Sequence, residues 1–243
     1  MKILYIDAVN GLSGDMLLGA LVDAAGSDRS IADLPKRLQM SRGGISCWRV
    51  SAGKVRGISV TVRAAKPAGA STLGRPMIDI MQQLGDADLS SSVKSRARQV
   101  YRRIGEAEAK CHGVDLSRVH LHELGDADAM VAIVGVALLV EELEVQRVIG
   151  SPLVLERGTV RTREGVLPLP SPATMELLRG WPVRVVDGGR ERVTPTGAAL
   201  LSVLAQPVES MPSLHIVRTG WGVGTKRFDG VPGTVRAVLG EGS

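Results

Sequence analysis

The stretch His120-Leu121-His122-Glu123-Leu124-Gly125-Asp126-Ala127-Asp128 runs without a break into Ala129-Met130-Val131-Ala132-Ile133-Val134-Gly135-Val136-Ala137-Leu138-Leu139-Val140. From Asp126 to Leu143 the chain reads as a helix that is apolar almost all round, and such a helix belongs at the centre of a fold. The apolar run from Ala129 to Val140 is too short to span a bilayer. The polar segment before it therefore stands at the mouth of a buried element. On extended backbone, residues i and i+2 point to one face, so His120 and His122 both face one ligand: a metal ion, a phosphate or a substrate oxygen.

Outward from that helix, strands and helices alternate irregularly. Lys2–Asp7 reads as a strand, Asn10–Gly14 as a turn, and Asp15–Ala25 as a helix stopped by Gly26. Ile45–Arg63 reads as a β-hairpin, in which Ile58, Val60 and Val62 alternate with Ser59, Thr61 and Arg63 as in a half-buried strand. Met77–Leu84 is a short helix. Val93, Ala97, Val100, Tyr101, Ile104, Ala107 and Cys111 keep helical spacing, and Cys111 is expected to pack in the core. A strand is expected over Val148–Leu155. Leu167–Pro172 is extended because of its prolines, and Ser171 caps a helix over Pro172–Arg179. A strand over Val183–Val186, a helix over Ala198–Leu204, and strands over Leu214–Trp221 and Thr234–Leu239 complete the chain. The expected class is α+β: mixed sheets packed with helices, forming one unit over 1–243. The Gly-, Ala- and Pro-rich stretch Ala64–Pro76 can divide that unit into lobes 1–65 and 75–243.

The chain has 243 residues, 44% of them hydrophobic and only 2% aromatic, so aliphatic side chains must fill the core. Its formal net charge of +5 favours an anionic small molecule as partner. So few aromatics argue against a base-stacking nucleic-acid surface, and Lys94–Arg103 reads as the wet face of a helix. Two cysteines without a CxxC, and no leader-like or membrane-spanning segment, point to the cytoplasm and away from membranes.

Three constellations can carry chemistry. In the first, Asp7, Gly11, Ser13, Gly14 and Asp15 form a strand, a turn and a helix start. Such a start offers backbone N–H groups and a positive helix end to an anion, and the structural alternative is a capped tight turn. The second comprises His120, His122 and Glu123 with Asp126 and Asp128. Its imidazoles and carboxylates suit a divalent metal held by His120, His122 and Asp128, or acid–base work by His120, His122 and Glu123. The structural alternative is a helix start capped by Asp126. In the third, Thr194, Thr196 and Gly197 precede a helix and can bind a phosphate or simply cap it. The proline run Pro168–Pro172 is rigid and can wall a pocket, with Arg157, Arg161 or Arg163 as anion partners. His112 and His215 stand apart as structural or exposed residues.

These pieces, in this order, make the chain resemble the LarC family, nickel insertion proteins that complete the nickel-pincer nucleotide cofactor of lactate racemase. The resemblance rests on Asp7 with Gly11-Leu12-Ser13-Gly14-Asp15-Met16 and on His120-Leu121-His122-Glu123-Leu124-Gly125. It continues through Leu167-Pro168-Leu169-Pro170-Ser171-Pro172-Ala173-Thr174, Thr194-Pro195-Thr196-Gly197-Ala198-Ala199-Leu200-Leu201 and Gly220-Trp221-Gly222-Val223-Gly224, and so covers essentially the whole chain. It implies nickel or another divalent metal, a pyridinium mononucleotide substrate, CTP, and assembly into homo-oligomers. It makes His120, His122 and Glu123 candidates for metal or substrate handling, and Asp7, Ser13 and Asp15 candidate phosphate or cation contacts. The family's C-terminal CTP-binding domain is missing from these 243 residues, so CTP is expected to need a separate partner polypeptide. The family also carries a His-rich stretch where this chain has Ala70–Pro76, an Asp at Ala132 and a His at Glu164. Those differences keep two further readings open. One is a metal-independent enzyme on the same scaffold, performing cyclisation, condensation or dehydration on a carboxylated or quinone-like molecule. The other is a non-catalytic partner subunit.

Overall fold

The computed structural model describes residues 1–40, 43–64, 74–162, 165–225 and 233–242. In chain order the elements are β1 (Lys2–Asp7), α1 (Gly14–Ala25), α2 (Arg29–Ala32), α3 (Leu34–Arg37), β2 (Gly43–Ala52), β3 (Val55–Ala64), β4 (Arg75–Pro76), α4 (Met77–Asp86), α5 (Ser91–His112), β5 (His120–Leu121), α6 (Ala127–Glu142), β6 (Arg147–Gly150), β7 (Leu153–Thr162), β8 (Gly165–Leu169), α7 (Pro172–Leu177), β9 (Val183–Asp187), α8 (Pro195–Leu204), β10 (Gln206–Pro207), β11 (His215–Val223) and β12 (Thr234–Glu241). The class is α+β.

α6 is the hub, with every residue from Ala129 to Val140 buried. α1 packs between α6 and a seven-stranded sheet ordered β10-β6-β1-β12-β11-β3-β2. β12 pairs antiparallel with β1 on one side and with β11 on the other, so strands from both sides of residues 65–73 share one sheet. A second, three-stranded sheet is ordered β8-β7-β9, with α7 against β8. Aliphatic side chains fill the core, among them Leu17, Leu21, Leu34 and Leu200, each fully buried. Burying each contributes about 1.5–3 kcal/mol.

The alternation in β3 works as read, with Ile58 and Val60 buried and Val62 packed against the core. Ser59 is buried as well, because β3 lies inside the sheet, between β11 and β2, rather than at an edge. Four expectations need correction. The strand expected over Val148–Leu155 is two strands in different sheets, broken at Ser151-Pro152. Ser151 there turns to β1: its N–H donates to the Ile6 carbonyl at 3.0 Å and its hydroxyl accepts from the Ala8 N–H at 3.0 Å. Between Gly26 and the hairpin, α2 and α3 occur where no element was expected. α7 ends at Leu177, two residues short. Cys111 is exposed rather than in the core, since the last turn of α5 projects past it. Cys47 packs partly against the core, where burial and then the negative charge of Asp28 push its thiol up to about 11. Of the expected Ala64–Pro76 loop, residues 65–73 lie outside the described residues, and Arg75–Pro76 pairs with β5. No described helix is long and apolar enough to cross a membrane.

Candidate functional site

Four helices start at one cavity of about 700 Å³. Ser13 and Asp15 bring the start of α1 to it, Asp128 that of α6, Ser171 that of α7, and Thr194 and Thr196 that of α8. The caps follow from side chains the sequence supplies. Ser13 accepts from the Met16 N–H at 3.4 Å, Ser171 from the Thr174 N–H at 3.3 Å, and Thr194 from the Gly197 N–H at 3.2 Å. Asp126 occupies the N-cap position of α6 but makes no capping bond with its side chain, a correction to the expected cap. Converging helix starts give the cavity a positive potential from the backbone.

The side chains pull the other way. Asp15, Glu108, Glu123, Asp128 and Glu191 line the cavity with His112, His120 and His122, and no Lys or Arg does so among the described residues. Among the described residues, positive side-chain charge is therefore not gathered at this wall. Arg157 pairs instead with Asp187 at 2.9 Å, Arg161 is not among the lining residues, and Arg163 lies outside the described residues. His120 Nδ1 stands 3.0 Å from the Arg118 carbonyl oxygen. A carbonyl only accepts, so Nδ1 donates to it, and in the neutral ring Nε2 is the nitrogen with a lone pair for a metal or a substrate proton. Ser13 donates to Asp15, which also accepts from the Thr225 N–H at 3.4 Å.

Burial pushes the Asp128 carboxyl above its ordinary value of 3.8, and the negative charges of Asp126 and Asp15 push it further. Asp128 is nonetheless open to the cavity, so the shift comes from the surrounding protein and not from a sealed pocket. In the fold its charged form is the disfavoured one. Its contribution to stability therefore falls as pH rises from 3.8 through the raised value, and then stays constant. Asp128→Asn is expected to melt at a higher temperature than wild type at neutral pH. The difference should close below the ordinary carboxylate range, as read by thermal unfolding across pH.

Of the expected site residues, the cavity brings together His120, His122, Glu123, Asp128, Ser13, Gly14, Asp15, Thr194 and Thr196. Asp7, Gly11 and Gly197 are not in its lining. Asp7 pairs with Arg236. Gly11 has φ +110°, and a Cβ there would sit 2.5 Å from the Arg192 carbonyl oxygen, so its role is to let two backbones meet. Gly197 backs the wall, where a Cβ would sit 2.6 Å from the Leu12 carbonyl oxygen. Sequence reasoning missed Glu108, Cys111 and His112 on α5, and Glu191. His112 Nε2 lies 3.4 Å from Glu108 Oε2, an i,i+4 pair that helical spacing alone could have found. Among the described residues no three His, Cys, Asp or Glu side chains stand together as a ready metal site. Ala132 is buried in the cavity wall, and Glu164 lies outside the described residues.

Fold and cavity together define an α+β protein in which helix starts meet a rim of imidazoles and carboxylates around one cavity. The chain belongs to the nickel insertion protein family, whose model matches residues 4–243. It is 36% identical over 99% of its length to the pyridinium-3,5-bisthiocarboxylic acid mononucleotide nickel insertion protein of Geobacillus kaustophilus, covering 60% of that protein. It is 35% identical to the protein of the same name from Desulfitobacterium hafniense strain DCB-2, covering 59% of it. A relative from Geobacter metallireducens, 39% identical and 61% covered, also carries nickel insertion in its name. The chain thus spans about three-fifths of the length of these relatives. No solved structure matches it.

Proposed function

We propose that this chain handles nickel and a pyridinium-3,5-bisthiocarboxylic acid mononucleotide in its central cavity and takes part in metallating that molecule. The observation that carries the reading is the meeting of two chemistries in one space. The starts of α1 and α8, with Ser13, Thr194 and Thr196, suit a phosphate, while His120, His122 and Asp128 suit a divalent cation. Nickel here is cargo. Imidazole nitrogen and carboxylate oxygen carry it, and the softer thiocarboxylate sulfurs of the substrate take it over. Glu123 and Asp15 offset the ion's charge while it is in transit. In this reading CTP is brought by a CTP-binding domain, and the chain works as a homo-oligomer.

The test supplies the purified chain with Ni²⁺, the mononucleotide and CTP, with and without a CTP-binding polypeptide, and follows the nickel adduct by mass spectrometry. A nickel-containing product that requires the chain is the expected result. Its absence under every combination would overturn the reading. A second reading, acid–base catalysis without a metal, draws on the raised carboxyl of Asp128 beside His120 and His122. It predicts turnover of an organic substrate that survives chelation.

A further inference from the structure

Glu156 is the one charged residue buried among the described residues, at 3% exposure. A buried carboxylate has to be partnered, and this one is held from a single stretch of chain. One oxygen accepts from the Arg190 N–H at 3.0 Å, and the other pairs with the Arg192 guanidinium. Gly188 packs so tightly on the carboxylate that a Cβ would not fit. The strap 188–194, which links β9 to α8, therefore wraps around Glu156.

The strap then reaches the cavity through two backbone bonds. The Leu12 N–H donates to the Arg192 carbonyl at 2.8 Å, and the Thr194 N–H donates to the Leu12 carbonyl at 2.9 Å. The next residue after Leu12 is Ser13, the cap of α1. Thr194 is itself the cap of α8, and both line the cavity. Glu191, flanked by the two residues that bind Glu156, faces the cavity as well. One buried ion pair thus holds two capping hydroxyls and a carboxylate on a single wall.

We infer that Glu156 is a positioning residue: paired with Arg192, it fixes the strap so that Ser13, Thr194 and Glu191 keep their places around the bound molecule. The role in turnover rests on the proposed function, while the role in holding the strap does not. In Glu156→Gln one of the two acceptor oxygens becomes an N–H₂, so the Arg190 N–H or the Arg192 guanidinium is left facing a donor, and the ion pair with Arg192 is lost.

The test compares Glu156→Gln with a neutral pair, Glu156→Gln/Arg192→Gln, in which one amide oxygen again accepts from the other amide. Amide exchange is read by NMR in the whole chain. Exchange at Leu12 and Thr194 is expected to speed up by about tenfold or more in the single variant while α5 and α6 keep their protection. The neutral pair is expected to restore it. In the metallation assay the single variant should raise KM for the mononucleotide by about tenfold, with kcat within about threefold.

Unchanged exchange at both amides, loss spread evenly through α5 and α6, or no recovery in the neutral pair would each overturn the inference. Should Glu156→Gln fail to fold, Arg192→Lys carries the same test, since it keeps the charge and gives up the guanidinium geometry. If wild type itself makes no nickel adduct, the proposed function fails and the exchange readout still decides the role of Glu156.

Discussion

Under the proposed function, the double variant His120→Ala/His122→Ala is expected to lose nickel transfer by about 100-fold or more, above the about 10- to 100-fold that removal of an outer-shell partner costs a metal site. Both side chains line the cavity from one short segment, and the Arg118 carbonyl fixes the tautomer of His120 so that Nε2 can bind. His120 is exposed and His122 half-buried, so fold stability should move by no more than about 0.5 kcal/mol. Calorimetric titration of Ni²⁺ and the metallation assay read the loss, and circular dichroism confirms the fold. Wild-type transfer by the double variant would remove the His-x-His segment from the reaction.

Gly222→Ala is expected to cost about 3 kcal/mol, the upper end for overpacking a core. Gly222 lies on β11 where α1 crosses, and a Cβ there would fall inside the Met16 carbonyl oxygen and close on the Ala20 nitrogen, both backbone atoms of α1. Gly220, two residues earlier on the same face, meets the Ala20 carbonyl in the same way. Helix and sheet approach so closely that neither side can yield without moving α1, which also carries Ser13 and Asp15 at the cavity. Gly44→Ala on β2 is the control: a Cβ there meets nothing within 4 Å, so a change within about 0.5 kcal/mol is expected. Urea midpoints compare the two, and an equal effect would refute the close-packing account.

The parts of this molecule that were legible in the sequence are those set by local rules. The all-apolar run of α6, the alternation of Ile58, Val60 and Val62, and the caps Ser171 and Thr194 each follow from spacing within a few residues. What escaped was set by distant pairing. Pro152 marks an interruption of the strand, but nothing local says that the chain leaves one sheet for another there, because Ser151 is held by Ile6 of β1 and by Ala8 just beyond it. Glu156 sits among strand residues as any exposed Glu would, and only the returning strap buries it. The candidate site divides the same way. His120 and His122 advertise themselves as neighbours in sequence. His112 joins them only because α5 ends at the same cavity. The helical stripe that made Cys111 look like core holds as a pattern but outlasts the core it packs on. The glycines of Gly220-Trp221-Gly222 were visible as a motif, and their reason, the closeness of α1, was not.

β12 fills the slot between β1 and β11, and its pairing of Lys2 with Glu241 means that the sheet closes only once residue 241 has been made. A ribosome adding about 5–20 residues per second leaves β1 waiting roughly 10 to 50 s for that neighbour. During that time β1 can rest against β6, its parallel partner, but its other edge stays open, with Leu4 and Ile6 not yet covered. Open apolar edges of this kind invite pairing with the wrong strand. Synthesis is thus the stage at which this chain exposes an edge that the finished molecule hides, and a chaperone shielding that edge would raise its yield.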